Sequence, residues 1–271
     1  MPNKEYPTVL VDSHCHLDHL DLADYQQSLT DLLQAAHNRG VGCFLSVGVD
    51  LDSSKKLIEL ATEHSSVRVS VGVHPLQKSR PAIPEVDELV ELGNQPGVVA
   101  IGETGLDNYY GSDSADWQQE SFIRHLKAAS QLRKPVIVHT RDAREETLST
   151  LRDHADTQAS GVIHCFTESW EMAQEVMDLN FYLSFSGIIT FRNASALREV
   201  VKKVPLDHML VETDAPWLTP MPHRGKQNEP QYVVEVAKAV AEIKGISFEE
   251  VAEVTTNNFE RLFLSRDTRI V

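Results

Sequence analysis

Five apolar runs of this chain stop on residues that bind metals or move protons. They are Leu10-Val11-Asp12-Ser13-His14-Cys15-His16, Ala100-Ile101-Gly102-Glu103, Val136-Ile137-Val138-His139, Gly161-Val162-Ile163-His164 and Met209-Leu210-Val211-Glu212-Thr213-Asp214. Packing alone does not explain such a repeat. If each run is a buried strand of a parallel barrel, its C-terminal end opens on one shared mouth. Four histidines, one glutamate and one aspartate meeting there would hold metal. The pattern points to a metal-dependent hydrolase.

Each of these residues also has a plainer reading. His14 and His16, two apart, share a face by strand alternation while Cys15 turns away, but two hydrogen-bonded histidines at a strand end would look the same. Asp12, two residues earlier, is expected to orient a ligand imidazole. Glu103 lies between Gly102 and Gly105, which let the backbone crowd a ligand; its two oxygens could bridge two cations, or it could simply brace a turn. Asp107 reads as a loop-structuring residue. His139 alone would pass for a core histidine, yet His164 stands at the matching point of the next strand, so the two reinforce each other. Cys165 points away and takes a packing role. Glu212 and Asp214 share parity, so one can ligate while the other supports it; Asp214, at the strand exit, is the better candidate for metal ligand, general base or both. His74, after Gly72-Val73, reads as a substrate-side residue or a core histidine. His19, His37, His64, His125, His154 and His208 are expected on the surface or in packing.

The elements that must carry these residues alternate strand and helix. Expected strands are Val9–Ser13, Val41–Val47, Val67–Val73, Val98–Ile101, Pro135–Val138, Gly161–Ile163, Phe181–Phe185 and His208–Val211. Most are unbroken Val- and Ile-rich runs, as parallel strands buried on both faces should be; Phe181–Phe185, with a serine inside it, fits that criterion least. Helical periodicity fills the gaps over Asp24–Arg39, Ser53–His64, Val86–Leu92, Trp117–Leu132, Arg144–Ala155, Trp170–Leu179, Ala196–Val204 and Gln231–Lys244. A last helix, from Ser247 to about Leu264, has capping-box spacing between Ser247 and Glu250 and no strand after it. Eight strand–helix units without a flexible linker predict an α/β fold, one (β/α)₈ barrel over residues 1–271 with an extra C-terminal helix. An open doubly wound sheet would separate the five strand ends that a closed one brings together.

Composition fits without deciding. The chain has 271 residues, 41% hydrophobic and 24% charged, ordinary for a water-soluble globular protein. No apolar run is long enough to span a bilayer, and Met1–Pro7 lacks the apolar stretch of a signal peptide. Cys15, Cys43 and Cys165 are too few and too scattered for a disulfide framework, so a reducing cytoplasm is the expected location. The net charge of −15 argues against broad coating of nucleic acid. The cations Arg141, Arg192, His223, Arg224 and Lys226 nevertheless follow strands 5, 7 and 8, on the expected mouth. That placement favours an anionic substrate, because guanidinium matches phosphate oxygens in pairs.

Taken together, Val11-Asp12-Ser13-His14-Cys15-His16-Leu17-Asp18, Gly72-Val73-His74-Pro75, Gly102-Glu103-Thr104-Gly105-Leu106-Asp107, Val138-His139-Thr140-Arg141, His164-Cys165-Phe166, Val211-Glu212-Thr213-Asp214 and His223-Arg224-Gly225-Lys226-Gln227-Asn228-Glu229-Pro230 resemble the TatD family of metal-dependent hydrolases, described chiefly as deoxyribonucleases. Phe185-Ser186-Gly187 is most similar to its YcfH-type branch. The resemblance runs nearly end to end and implies two divalent metal ions. His14, His16 and Asp214 would hold one, His139 and His164 the other, and Glu103 would bridge them. It implies water-driven cleavage of DNA or another phosphodiester, single strands above all, with Asp214 and Glu103 catalytic and His74, Arg141, Arg192 and Arg224 on the substrate. Asn108 departs from the family, where an aromatic is frequent. Histidine ligation suits zinc or manganese, whereas the family's nuclease activity is described as magnesium-dependent. Two other functions remain open: an amidohydrolase or lactonase on a small substrate, many of which bridge their metals with a lysine instead of Glu103, and a binding or quality-control module with structural metals. No obligate protein partner is evident.

Overall fold

The apolar runs pair as parallel strands in strict chain order. A computed structural model describes residues 9–77, 80–264 and 270; the segment Met1–Pro7, read above for a signal peptide, lies outside them. The strands are β1 (Leu10–Cys15), β2 (Val41–Ser46), β3 (Val67–Val71), β4 (Val98–Asp107), β5 (Val136–Arg141), β6 (Gly161–Ile163), β7 (Phe181–Phe185) and β8 (Met209–Val211). They lie side by side from β1 to β8. Closure comes from the segment beyond β8: Asp214 N–H donates to His14 O at 2.9 Å and His16 N–H to Ala215 O at 2.8 Å. The expected eight-stranded α/β barrel is the fold.

Helices surround the strands: α1 (Leu29–His37), α2 (Leu51–Glu63), α3 (Val86–Gly93), α4 (Asn108–Gly111), α5 (Ala115–Leu132), α6 (Arg144–His154), α7 (Trp170–Asp178), α8 (Ser195–Lys203), α9 (Val233–Lys244) and α10 (Phe248–Phe263). Two apolar clusters result. The outer one joins strands to helices. The inner one takes Val11, Leu45, Ala100, Ile137, Val162, Tyr182 and Leu210 from the barrel interior and adds Phe259, Leu262 and Phe263 of α10. The extra helix therefore plugs the end opposite the mouth. Ser247 caps it, accepting Glu250 N–H at 3.0 Å. Among the described residues no helix is long and apolar enough to cross a membrane.

Several element bounds differ from those expected; β5 runs to Arg141 instead of ending at Val138, and β3 ends at Val71 instead of Val73. The helix expected over Asp24–Arg39 begins only at Leu29, because Ser28 caps it through Asp31 N–H and Gln26 and Gln27 are left-handed, with φ of 55° and 66°. Strand β4 continues to Asp107, six residues beyond the expected end at Ile101. Strand β1 includes His14 and Cys15 rather than stopping at Ser13.

Strands β1 and β4 each carry an irregularity that aims a ligand. In β1, Val11 faces the interior and Cys15 the outer cluster, so alternation breaks once between them, where the register against β2 shifts. In β4, Ala100 faces in and Ile101 out; the register against β5 then shifts before Thr104, and Gly102 adopts φ +135°. The break turns Glu103 inward. Bulges of this kind re-aim side chains beside functional sites. Strands β5 and β6 need no such device: Ile137 and His139, like Val162 and His164, follow plain alternation.

Candidate metal centre

All six expected ligands meet at the mouth. Glu103 is at the centre, with its two oxygens turned to different histidines. Oε2 lies 3.4 Å from His14 Nε2 and 3.9 Å from His16 Nε2. Oε1 lies 2.7 Å from His164 Nε2 and 3.2 Å from His139 Nδ1. Asp214 Oδ1 closes the first group, 3.5 Å from His16 Nε2 and 3.8 Å from His14 Nε2. Within the groups the nitrogens crowd: His14 Nε2 is 3.2 Å from His16 Nε2, and His139 Nδ1 is 3.3 Å from His164 Nε2.

The outer nitrogen of most of these rings has an acceptor behind it. His16 Nδ1 faces Val47 O at 3.2 Å. His139 Nε2 faces Asp107 Oδ2 at 3.1 Å. His164 Nδ1 faces Glu212 Oε1 at 3.5 Å. A neutral imidazole that donates from one nitrogen keeps a bare lone pair on the other. In their neutral forms, bare lone pairs of His16 and His139 thus converge on carboxylate oxygens. Lone pairs and anions aimed at one another repel unless a cation lies between them, so this donor set fits divalent metal.

His74 is different. Its Nδ1 accepts Leu76 N–H at 3.0 Å, which leaves the proton of the neutral ring on Nε2, 3.4 Å from Glu103 Oε1. Spacing alone allows His74, Glu103 and His139 to share an ion, but an N–H does not ligate. His74 is a donor pointed into the site.

Burial and charge set the protonation of the cluster. Burial pushes Glu103 up, yet the imidazoles of His164, His74, His139 and His14 hold it well below the usual carboxylate range. Asp214 is likewise held low, against burial, by His16, His14 and His164. Burial lowers His164, but Glu103 and Glu212 raise it well above its ordinary value. Burial and the neighbouring His164 lower His14. The site therefore holds carboxylate anions beside imidazoles that gather positive charge, a balance that a bound cation can take over by displacing protons.

The cavity over the cluster encloses about 650 Å³ and is lined by His16, His19, His74, Glu103, Asp214 and Trp217 among others. Among the described residues, a cleft of about 690 Å³ at the other end of the barrel contains no metal-binding cluster. The expected substrate cations do not line the cavity itself. Arg141 lies over Tyr109 and Tyr110. Arg192 and Arg224 border a separate groove with Phe191, Asn193 and Met221.

One reading of a single residue needs correction, and three hold but are incomplete. Asp12 orients no imidazole: it accepts Thr213 N–H at 2.8 Å and Thr213 O–H at 2.6 Å, since the break in β1 removes it from the face of His14. Asp107 does structure a loop, accepting Tyr110 N–H at 2.8 Å, but its other oxygen also receives His139. His19 is no bystander, because its ring stacks on His16 with centroids 5.7 Å apart. His125 is fully buried on α5, where it accepts Val73 N–H at 3.0 Å and so holds the turn before His74. Helical spacing hid it among packing residues.

Comparison with known proteins agrees with the geometry. A family model described as TatD related DNase matches residues 11–264. The uncharacterized metal-dependent hydrolase YcfH of Escherichia coli K12 is 51% identical over 94% of this chain and 95% of its own length. The corresponding figures for the uncharacterized metal-dependent hydrolase YabD of Bacillus subtilis are 39%, 94% and 99%. Among solved structures, YJJV, a TatD homolog from Escherichia coli K12, superposes with a TM-score of 0.86 at 28% identity, covering 94% of this chain and 97% of that one. With its ligand-type cluster at the barrel mouth, this chain belongs to the TatD family and is a metal-dependent hydrolase.

Proposed function

We propose that this hydrolase cleaves phosphodiester bonds of DNA, single strands foremost, and that it holds two divalent cations. His14, His16 and Asp214 would hold one, His139 and His164 the other, and Glu103 would be shared between them. The observation that carries this is the division of Glu103: Oε1 and Oε2 face separate histidine pairs, 2.7 Å from His164 Nε2 and 3.4 Å from His14 Nε2. The description of the matching family as a DNase supports the choice of DNA.

Cations at such a site acidify water and offset charge on phosphoryl oxygens. The chain does the rest. Asp214, held ionised beside His16, accepts a proton from the attacking water on the oxygen that ligation leaves free. The Nε2–H of His74 donates to a phosphoryl oxygen. Glu103 keeps the two histidine pairs in register, and Arg141, Arg192 and Arg224 meet the flanking phosphates. Histidine-rich ligation favours zinc or manganese, with magnesium the competing choice. The three cysteines are free, which a reducing cytoplasm favours.

Equilibrium dialysis with manganese or zinc, followed by assays on single-stranded DNA and on a neutral lactone, tests the proposal. Wild type should bind about two ions and His139→Ala/His164→Ala about one. Asp214→Asn should lose about 10²-fold or more in turnover while keeping some metal. Saturation of the wild type at one ion overturns the shared site. Turnover of the lactone alone overturns the nuclease reading.

A further inference from the structure

Among the described residues, four large apolar side chains are strongly exposed: Tyr109 at 57%, Tyr110 at 65%, Trp217 at 48% and Met221 at 43%. All four are on the mouth. Tyr109 and Tyr110 form part of α4, directly after β4. Trp217 and Met221 follow β8. In a closed ring ordered β1 to β8, β4 and β8 stand four places apart, so the tyrosines and the tryptophan occupy opposite rims with the metal centre between them. Scattered exposed apolar residues need no explanation, but aromatics confined to one functional face do.

Their neighbours give the occupant. Trp217 lines the cavity, edge-on to His16 at 5.0 Å and to His19 at 5.6 Å between ring centroids. Across the mouth, the Arg141 guanidinium lies 4.3 Å from the Tyr109 centroid and 4.7 Å from that of Tyr110. On the Trp217 side, Arg224 lies 4.3 Å from the Phe191 centroid. Each rim thus pairs an aromatic surface with a cation. A ligand that alternates flat rings with phosphate charge matches both.

We infer that Trp217 and the Tyr109–Tyr110 pair are stacking platforms for unpaired nucleobases on either side of the phosphodiester presented to the metal centre. The inference rests on the nuclease reading and deepens it. Bases inside a duplex have both faces covered by their neighbours, so only single strands and frayed ends offer a free face. The selection is for unpaired bases of any identity, since every base has a π-face.

The test measures binding without turnover, in EDTA, by fluorescence anisotropy of a labelled single-stranded oligodeoxynucleotide and of an equally long oligomer whose residues lack bases. Trp217→Ala, and separately Tyr109→Ala/Tyr110→Ala, should weaken binding of the normal strand by roughly 5- to 100-fold. Binding of the base-free oligomer should shift less than about twofold, and Trp217→Phe should restore most of the loss. Equal weakening for both oligomers, or no weakening of either, overturns the stacking platforms while leaving wild-type cleavage intact. A change of oligomeric state in Trp217→Ala by sedimentation also overturns them, because the patch is then a protein contact. Wild type that neither binds nor cleaves any oligonucleotide overturns the nuclease reading and the platforms with it.

Discussion

At the residue scale the chemistry is set by which nitrogen of each imidazole is free. His139 presents Nδ1 to the centre because Asp107 takes its Nε2, whereas His16 presents Nε2 because Val47 O takes its Nδ1. The ligand types were legible in the sequence: His14, His16, Glu103, His139, His164 and Asp214 all end apolar runs. Their orienting partners were not, since Asp107, Glu212 and Val47 O find their histidines only through tertiary contact. Asp12, expected from spacing to orient an imidazole, went to Thr213 instead, and Glu212, expected to support its strand neighbour Asp214, faces His164. Asp107 provides the sharpest test. Asp107→Asn is nearly isosteric but gives His139 a weaker, uncharged acceptor. Metal affinity by calorimetric titration should fall about 10- to 100-fold, with the melting temperature of the metal-free protein little changed. Unchanged affinity would mean that His139 is placed by strand geometry alone.

At the scale of elements, two strands had to depart from regular alternation to deliver their ligands. Periodicity correctly aimed His139 and His164, because β5 and β6 are regular; it could not foresee the breaks in β1 and β4, which no side-chain pattern records. The glycines around Glu103 were read as room for a ligand. They make room for backbone. Gly105 has φ +134°, and a Cβ there would lie 2.0 Å from His139 O. Gly105→Ala should therefore cost at least about 2 kcal/mol of stability in urea unfolding and should displace His139, lowering metal affinity in parallel. Stability lost without any metal effect would separate the bulge from the site.

Helix α5 makes a second element-scale prediction through His125. Burial lowers its pKa to about 4, because the ring is sealed between Ser121 O, to which Nδ1–H donates at 2.7 Å, and Val73 N–H. Unfolded, the same imidazole titrates near the ordinary histidine value of about 6.5. Between those values the unfolded chain binds the proton and the folded one does not, so stability falls as pH falls from about 6.5 to about 4 and levels off below. The span corresponds to about 3 kcal/mol from this one group. Urea midpoints of the metal-free protein at pH 7 and pH 5 should drop more for wild type than for His125→Gln. Equal drops would show that the acid sensitivity lies elsewhere.

At the scale of the whole molecule, closure of the barrel makes a site from residues spread between His14 and Asp214, and strand–helix alternation was enough to anticipate it. Surface character was less legible, because exposure of Tyr109, Tyr110 and Trp217 depends on how the rim packs. Charge shows the same division. The chain carries 40 acidic and 25 basic residues, so a polyanion is repelled by most of the body, and on the proposed reading it is admitted where Arg141, Arg192 and Arg224 stand. Arg224 lies over Phe191 and also donates to Thr219 O at 3.4 Å, an arrangement that holds its guanidinium in place. Arg224→Ala should remove a charge-assisted contact worth about 1.5–3 kcal/mol and slow cleavage of single-stranded DNA roughly 10- to 100-fold. Hydrolysis of a neutral ester should barely change. Salt adds an independent reading of the same contacts. Three arginine–phosphate contacts predict a slope of log affinity against log salt near about −2 for a single strand, and loss of one should make it shallower by about 0.7. A far steeper slope would mean that the strand is held by the whole surface. A slope near zero, with DNA and neutral ester activities falling together in Arg224→Ala, would mean that the rim arginines shape the mouth rather than meet phosphate.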